Sequence, residues 1–165
     1  MGNLETYKMF VNGEWIESEK SETFESINPS IGKPWALIPE ASALDVNKAV
    51  EAAYNAFSEG EWSKITPTQR GKYLRKLGDL LANKSEELGK IESIDTGKLL
   101  KETRWQAKYI AEYFHYYAGL AAKIEGATLT IDKPERDDFN GREPLGVISE
   151  MVRWTDKVFW VTGKV

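Results

Sequence analysis

The chain has 165 residues, 41% hydrophobic and 12% aromatic, a length and content typical of one domain with a real core and not of a disordered chain. Its formal charge of −4 argues against nucleic acid as a main partner. Because the sequence contains one His and no Cys, a disulfide scaffold, a thiolate metal site and a thiol nucleophile are excluded from these residues, and we expect no metal site.

The N-terminus carries no basic stretch followed by an apolar one, and nowhere do about 18 apolar residues run together. We therefore expect no membrane partner and a cytoplasmic location. No linker, repeat or low-complexity tract interrupts the chain, so residues 1–165 are expected to form a single domain.

The N-terminal residues predict two β-hairpins. Asn12-Gly13 lies between the strand-forming segments 9–11 and 14–16, and both turn residues tolerate positive φ, which favours a type I′ turn. Residues 23–27 and 35–38 predict a second strand pair, because turn-forming residues 28–32 separate them.

Four amphipathic helices are predicted next. The first begins at Ser42, which forms a capping box with Asp45, and ends near Gly60. The second begins at Thr66 as N-cap, with Gln69 three residues later as its capping-box partner. Their apolar stripes comprise Val46, Ala49, Val50, Ala53 and Phe57 in the first helix, and Leu74, Leu77 and Leu81 in the second.

The third helix is predicted to begin at a break near Asn83-Lys84-Ser85, which gives a new N-cap, and to end at Gly97. The fourth is predicted to run from Lys98 to Ile124, with Gly126 as its stop. The apolar stripes are Leu88, Ile91 and Ile94, and then Ile110, Phe114, Tyr117, Ala121 and Ile124, widened by Tyr109, Tyr113 and Tyr116. Helical spacing favours core packing of these aromatics over a platform that stacks bases.

The C-terminal part returns to a period of two residues. We predict a strand over 128–131, a charged loop over 133–141 and a longer strand from Arg142 to Trp154. The fold class is therefore α+β, with N-terminal β-hairpins, four amphipathic helices and then antiparallel strands.

No motif of a common catalytic or phosphate-binding site occurs in the chain. His115 is the single imidazole and lies beside an apolar helical stripe, which favours a structural role. The adjacent carboxylates Glu86-Glu87 and Asp137-Asp138 are better explained by helix capping and loop solvation than by acid–base chemistry.

Seven short segments carry a family resemblance by their order and spacing, which extend over about residues 9–154. They are Phe10–Trp15, Asn28-Pro29, Ala56-Phe57 with Trp62, Arg70-Gly71, Glu92–Lys98, Phe114–Gly119 and Arg142–Val147. Together they resemble the N-terminal segment of the NAD(P)-dependent aldehyde dehydrogenase superfamily, in a truncated or divergent member. The resemblance implies the N-terminal part of that α/β fold.

The resemblance also implies site residues. In the family, the segment that Gly146 opens enters the coenzyme-binding sheet and ends in Pro-Trp-Asn, where the asparagine helps to hold the substrate oxyanion. By this match, Met151, Val152 and Trp154 are candidates to bind NAD or NADP. Thr155 occupies the asparagine position, and loss of one oxyanion donor typically costs ~10²–10³ in rate. Residues 156–165 are interpreted as a divergent tail.

The family reaction oxidises an aldehyde to a carboxylic acid with a cysteine nucleophile and a glutamate base, and neither is expected in this chain. We therefore expect an aldehyde dehydrogenase-like protein that is inactive alone. The alternative is a non-catalytic module for self-association or partner binding. In either case we expect a homo-oligomer, with a dimer favoured, or association with a full-length relative or with a separate chain that bears the cysteine domain.

Overall fold

The computed structural model describes residues 4–133 and 136–163. The strands are β1 (Glu5–Thr6), β2 (Met9–Val11), β3 (Glu14–Ile16), β4 (Thr23–Asn28), β5 (Lys33–Pro39), β6 (Ala127–Thr130) and β7 (Asp137–Asn140). The helices are α1 (Ala43–Ser58), α2 (Glu61–Lys64), α3 (Pro67–Asn83), α4 (Ser85–Thr96), α5 (Leu100–Leu120) and α6 (Lys157–Thr162), with a 3₁₀ turn over Trp154–Asp156. The predicted α+β class is confirmed.

Both N-terminal hairpins are confirmed. Strands β2 and β3 pair antiparallel around Asn12 and Gly13, whose φ angles of 52° and 83° are those a type I′ turn requires. Strands β4 and β5 also pair antiparallel, and β1, which was not predicted, lies parallel to β5. The result is a small three-stranded sheet in the order β1-β5-β4 beside the β2-β3 hairpin.

Helix α5 forms the centre of the core, and α3 and α4 pack against it. Its inner face consists of Ala107, Ile110, Ala111, Phe114 and Ala118, all buried. Glycines on the neighbouring helices allow a close approach. A Cβ on Gly71 would meet the Ala118 carbonyl oxygen at 2.7 Å, and one on Gly89 would meet the Arg104 backbone at 2.8 Å.

The predicted helix starts follow the capping rules in two of three cases. The Ser42 hydroxyl accepts a hydrogen bond from the Asp45 amide while Asp45 accepts one from the Ser42 amide, and Thr66 and Gln69 form the same reciprocal pair. Gly97, at φ 75°, ends α4 as predicted. The N-cap predicted near residues 83–85 lies at Lys84, which forms no side-chain capping hydrogen bond.

Three predictions in the C-terminal half are wrong. Helix α5 ends at Leu120, well before Gly126, because the Lys123 amide bonds back to the Leu120 carbonyl at 2.8 Å and closes a tighter turn. The expected charged loop contains β7, whose exposed carboxylates remain solvated while its backbone pairs with β6. Residues 141–153 form no strand, since no described strand lies beside them to satisfy their backbone groups.

Core packing of the helical aromatics is confirmed only for Phe114. Tyr109, Tyr113, Tyr116 and Tyr117 are each at least 38% exposed, and Trp105 on the same helix is 62% exposed. The stripe of α1 is also largely uncovered, with Val46, Val50 and Phe57 exposed. Much of the apolar surface that the helical pattern assigned to a core therefore faces outward in the described chain.

Candidate functional site

The predicted site residues lie at the point where the irregular segment 141–153 enters the 3₁₀ turn Trp154–Asp156. Trp154 and Thr155 line one groove. Met151, which is 99% exposed, and Val152 both line a separate, smaller cavity of about 190 Å³ beside Trp160. The structure thus brings two of the four predicted residues together and leaves the other two apart from them.

The groove lies between β4, the C-terminal end of α4 and the 3₁₀ turn, and has a volume of about 430 Å³. Its lining comprises Phe24, Glu25, Ser26, Ile27, Pro29, Asp95, Thr96, Trp154 and Thr155. The Phe24 and Trp154 rings lie 6.1 Å apart in a tilted arrangement. The polar groups that line the groove are carboxylates and hydroxyls.

Asp95 is the best-anchored side chain at the groove and is only 5% exposed. Its Oδ1 accepts hydrogen bonds from the Ser26 hydroxyl and from Trp35 Nε1, the latter at 3.1 Å. Trp35 Nε1 also lies 3.1 Å from the Ser26 hydroxyl oxygen. Asp95 therefore joins α4 to both β4 and β5.

Two salt bridges connect the C-terminal end of α4 and the loop just after it to the end of the 3₁₀ turn and the start of α6. Lys157 pairs with Asp95, and Asp156 pairs with Lys98. The Lys157 ammonium also lies 3.8 Å from the centre of the Trp154 ring, a cation–π distance. The charged groups around Trp154 and Thr155 are therefore paired across two distant parts of the sequence.

Glu92, one turn before Asp95 on α4, is buried, and its Oε1 has no hydrogen-bond partner among residues 4–133 and 136–163. Burial raises the pKa of Glu92, and the nearby charges of Lys98 and Lys157 oppose that shift. Burial likewise lowers the pKa of Lys157, while Glu92 opposes that shift. Both groups are thus shifted toward their neutral forms.

In this arrangement, the residues around the groove do not fit a dinucleotide. The coenzyme carries a negative pyrophosphate, whereas the lining of the groove includes the carboxylate of Glu25 and no Lys or Arg, and Asp95 is already paired with Lys157. The cavity beside Val152 falls below the range of about 300–1,000 Å³ usual for ligand pockets, and Met151 stands in solvent. The coenzyme role of Met151, Val152 and Trp154 stays a prediction.

Sequence reasoning missed Asp95, Lys98, Asp156 and Lys157 as a cluster, although it used Asp95 and Lys98 as part of a family motif. The one local signal is that Asp95 lies on the last turn of a helix that Gly97 ends, with a lysine directly after it. Their partners could not be read from spacing, since Lys98 and Asp156 are 58 residues apart in the chain.

His115 has a structural environment. Its Nε2 lies 2.9 Å from an Asp79 carboxylate oxygen, and its ring packs against Gly78, so it ties α5 to α3. Within the two described ranges, no three His, Asp or Glu side chains are grouped as a metal ion would require. None of the helices there has the length and apolar character to cross a membrane. The cytoplasmic location stays a prediction.

The comparisons with known proteins agree on one family. The Aldehyde dehydrogenase family matches residues 15–165, a range that includes the segment 156–165. A curated relative from Acinetobacter baylyi, (Z)-2-((N-methylformamido)methylene)-5-hydroxybutyrolactone dehydrogenase, is 43% identical over 98% of this chain and 33% of its own length.

Two solved structures are also similar. A betaine aldehyde dehydrogenase double mutant from Staphylococcus aureus, in complex with NAD⁺, matches 98% of this chain and 32% of its own at a TM-score of 0.92 and 32% identity. An NAD-dependent aldehyde dehydrogenase from Sinorhizobium meliloti matches 82% of this chain and 27% of its own at 0.76 and 33% identity. These cofactors agree with the NAD or NADP that the resemblance implied. The chain spans about a third of the length of such relatives.

Proposed function

The chain belongs to the aldehyde dehydrogenase family, and from that membership we propose that it forms the N-terminal part of an NAD(P)-dependent enzyme that oxidises an aldehyde to a carboxylic acid. We further propose that these 165 residues do not catalyse the reaction by themselves. Their contribution is a folded α+β unit that carries the C-terminal turn Trp154–Asp156.

The observation that carries this proposal is that the match covers nearly all of this chain but only a third of the relative. The match takes in 98% of this chain and 33% of the Acinetobacter baylyi relative, so most of a family enzyme corresponds to residues outside it. The family reaction needs a thiolate to attack the aldehyde, and the chain contains no Cys. The catalytic groups must therefore come from other residues.

The geometry of segment 141–153 supports the same proposal. Leu145 is 95% exposed and Met151 is 99% exposed, although the segment follows the alternating pattern of a strand. Apolar residues on a segment that pairs with no strand of the described chain suit addition to a sheet supplied by other residues. Such a sheet would also complete the coenzyme site that the groove and the Val152 cavity do not form alone.

A complementation experiment tests the proposal. The chain is mixed with a fragment of the Acinetobacter baylyi relative that starts where the match to this chain ends, and aldehyde-dependent NADH formation is followed. We expect the two to co-purify and to show turnover that neither has alone. If the fragment neither binds the chain nor gains activity, the chain is not an N-terminal part of this kind. A chain carrying Leu145→Asp and Met151→Asp provides a matched control, with binding lost if segment 141–153 supplies the strand.

Coenzyme binding by the isolated chain is a separate test. Titration with NAD and with NADP is followed by tryptophan fluorescence, since Trp154 lies beside the predicted segment. We expect no saturable quenching, because the surrounding groups do not fit a dinucleotide. Saturable quenching that a Trp154→Phe variant abolishes would show a working coenzyme site within these residues and would contradict this part of the proposal.

The second candidate function is a self-association or partner-binding module, with a dimer favoured. The exposed aromatic residues of α5 support it, because Trp105 is 62% and Tyr116 is 63% exposed on one helix. Sedimentation of the chain at micromolar concentration tests it. We expect the mass of a dimer, reduced to that of a monomer in Trp105→Glu. A monomeric mass for the unchanged chain would refute the module.

A further inference from the structure

We propose that Asp95 and Lys98 are positioning residues. They hold the turn Trp154–Lys157, which is the 3₁₀ turn together with the first residue of α6, through two salt bridges: α4 supplies the acid in one, and the turn supplies the acid in the other. The turn carries Thr155, which by resemblance occupies the oxyanion position, so the catalytic consequence rests on the proposed function. The docking of the turn does not depend on the proposed function, because it follows from contacts within the described chain.

The arrangement of charge selects a single register. At the end of α4 the chain supplies an acid, Asp95, and then a base, Lys98, while the turn supplies Asp156 and then Lys157. Each acid meets a base. A shift of the turn by one residue would bring Asp156 to Asp95 or Lys157 to Lys98, and like charges at these positions repel. The two pairs therefore hold the turn against α4 and also fix its register there.

The pairs are partly or fully withdrawn from water, unlike the exposed ion pairs elsewhere in the described chain. The side chain of Asp95 is 4% exposed and that of Lys98 is 18% exposed. Breaking a buried pair by removing one partner leaves an unpaired charge, which costs more than the loss of a surface pair. A single charge change should therefore release the turn.

Both sides of the docking contact are themselves held. Asp95 is fixed by hydrogen bonds from Ser26 and Trp35, so the α4 side is tied to the three-stranded sheet. On the other side, Trp154 lies beside the Phe24 ring and under the Lys157 ammonium, which is 3.8 Å from the centre of its ring. Thr155 stands between two anchored residues, Trp154 and Asp156, and its place at the groove follows from theirs.

A charge swap across the more accessible pair tests the proposal. Lys98→Asp, Asp156→Lys and the double variant are compared by backbone hydrogen exchange over residues 154–163. We expect each single variant to exchange at least about tenfold faster there, and the double variant to return close to the unchanged chain. Unchanged exchange in both single variants, or a double variant no better protected than the singles, would overturn the proposal.

A matched control removes a lysine from a surface pair. Lys84 pairs with Glu87 at 2.7 Å with both side chains mostly exposed, so Lys84→Asp is expected to leave exchange over 154–163 unchanged. Should charge reversal at Lys98 or Asp156 prevent folding, the milder Lys98→Gln and Asp156→Asn are measured in the same way. Faster exchange in both supports the proposal, and wild-type exchange in both overturns it.

A spectroscopic readout separates positioning from general destabilisation. The chain is labelled with fluorotryptophan, and the Trp154 resonance is assigned with Trp154→Phe. The single variants are expected to move the Trp154 resonance while Trp105 stays in place, and the double variant is expected to restore it. Equal movement of both resonances would indicate a global effect and contradict a positioning role. Neither readout uses aldehyde or coenzyme, so failure of the proposed function would leave both results standing.

Discussion

Close packing of α4 against α5 makes Gly89 a position where a single methyl group should strongly destabilise the fold. A Cβ at Gly89 would lie 2.8 Å from both the Cα and the amide nitrogen of Arg104, and 2.9 Å from its Cγ. Two of these atoms are backbone atoms of a packed helix, so the two helices must separate. Overpacking of this kind costs about 1–3 kcal/mol, and we take the upper end because backbone atoms are involved.

The same substitution has an opposing effect on helix propensity. Alanine is favoured over glycine in a helix interior by about 1 kcal/mol, which leaves a net loss of about 2 kcal/mol for Gly89→Ala. Gly119 on α5 is the matched control, because a Cβ there meets nothing within 4 Å. Gly119 lies near the end of α5, so Gly119→Ala should gain at most about 1 kcal/mol.

Urea unfolding followed by circular dichroism measures both variants. The midpoint should fall for Gly89→Ala and rise for Gly119→Ala while the slope stays constant. In thermal unfolding, each kcal/mol of change in the free energy of unfolding shifts the Tm by about 2–4 °C for a chain of this size. If Gly89→Ala is stabilised as much as Gly119→Ala, α4 and α5 do not approach as closely as described and the reasoning fails.

Two further predictions concern the start of α1 and the buried acid on α4. Ser42→Ala removes the hydroxyl that caps the Asp45 amide and should lower the free energy of unfolding by about 1 kcal/mol, with Ser42→Asn close to the unchanged chain; equal stability of all three in urea would contradict the capping box. Burial raises the pKa of Glu92 above its ordinary value of 4.5, so the folded chain holds this proton more tightly than the unfolded chain. The resulting contribution to the free energy of unfolding is present at low pH and is lost as the pH rises through the folded pKa. Glu92→Gln should therefore gain stability relative to the unchanged chain as the pH rises from about 4 to about 7, and a difference that does not change with pH would contradict the assignment.

What the sequence predicted well is local. The Asn12-Gly13 turn and the caps at Ser42 and Thr66 each depend on contacts within a few residues, and the structure has all of them. The family resemblance came from short motifs, and the comparisons confirm it. Such features need no knowledge of distant partners.

What it predicted poorly depends on partners that a pattern does not identify. Segment 141–153 has the alternation of a strand, yet a strand forms only where another strand satisfies its backbone. The aromatic residues of α5 repeat at helical spacing, yet among them only Phe114 is buried, and the tyrosines are exposed. The pairing of Asp95 with Lys157 joins distant parts of the chain, and no local rule connects them.

We propose that the family reaction requires residues beyond those of this chain. Aldehyde-dependent NADH formation by the purified chain alone tests it most directly, with a full-length relative as the active control. We predict no turnover above the rate without protein for any aldehyde tested. NADH formation that increases in proportion to chain concentration and saturates with aldehyde would show that these residues carry a complete active site, and would contradict the account.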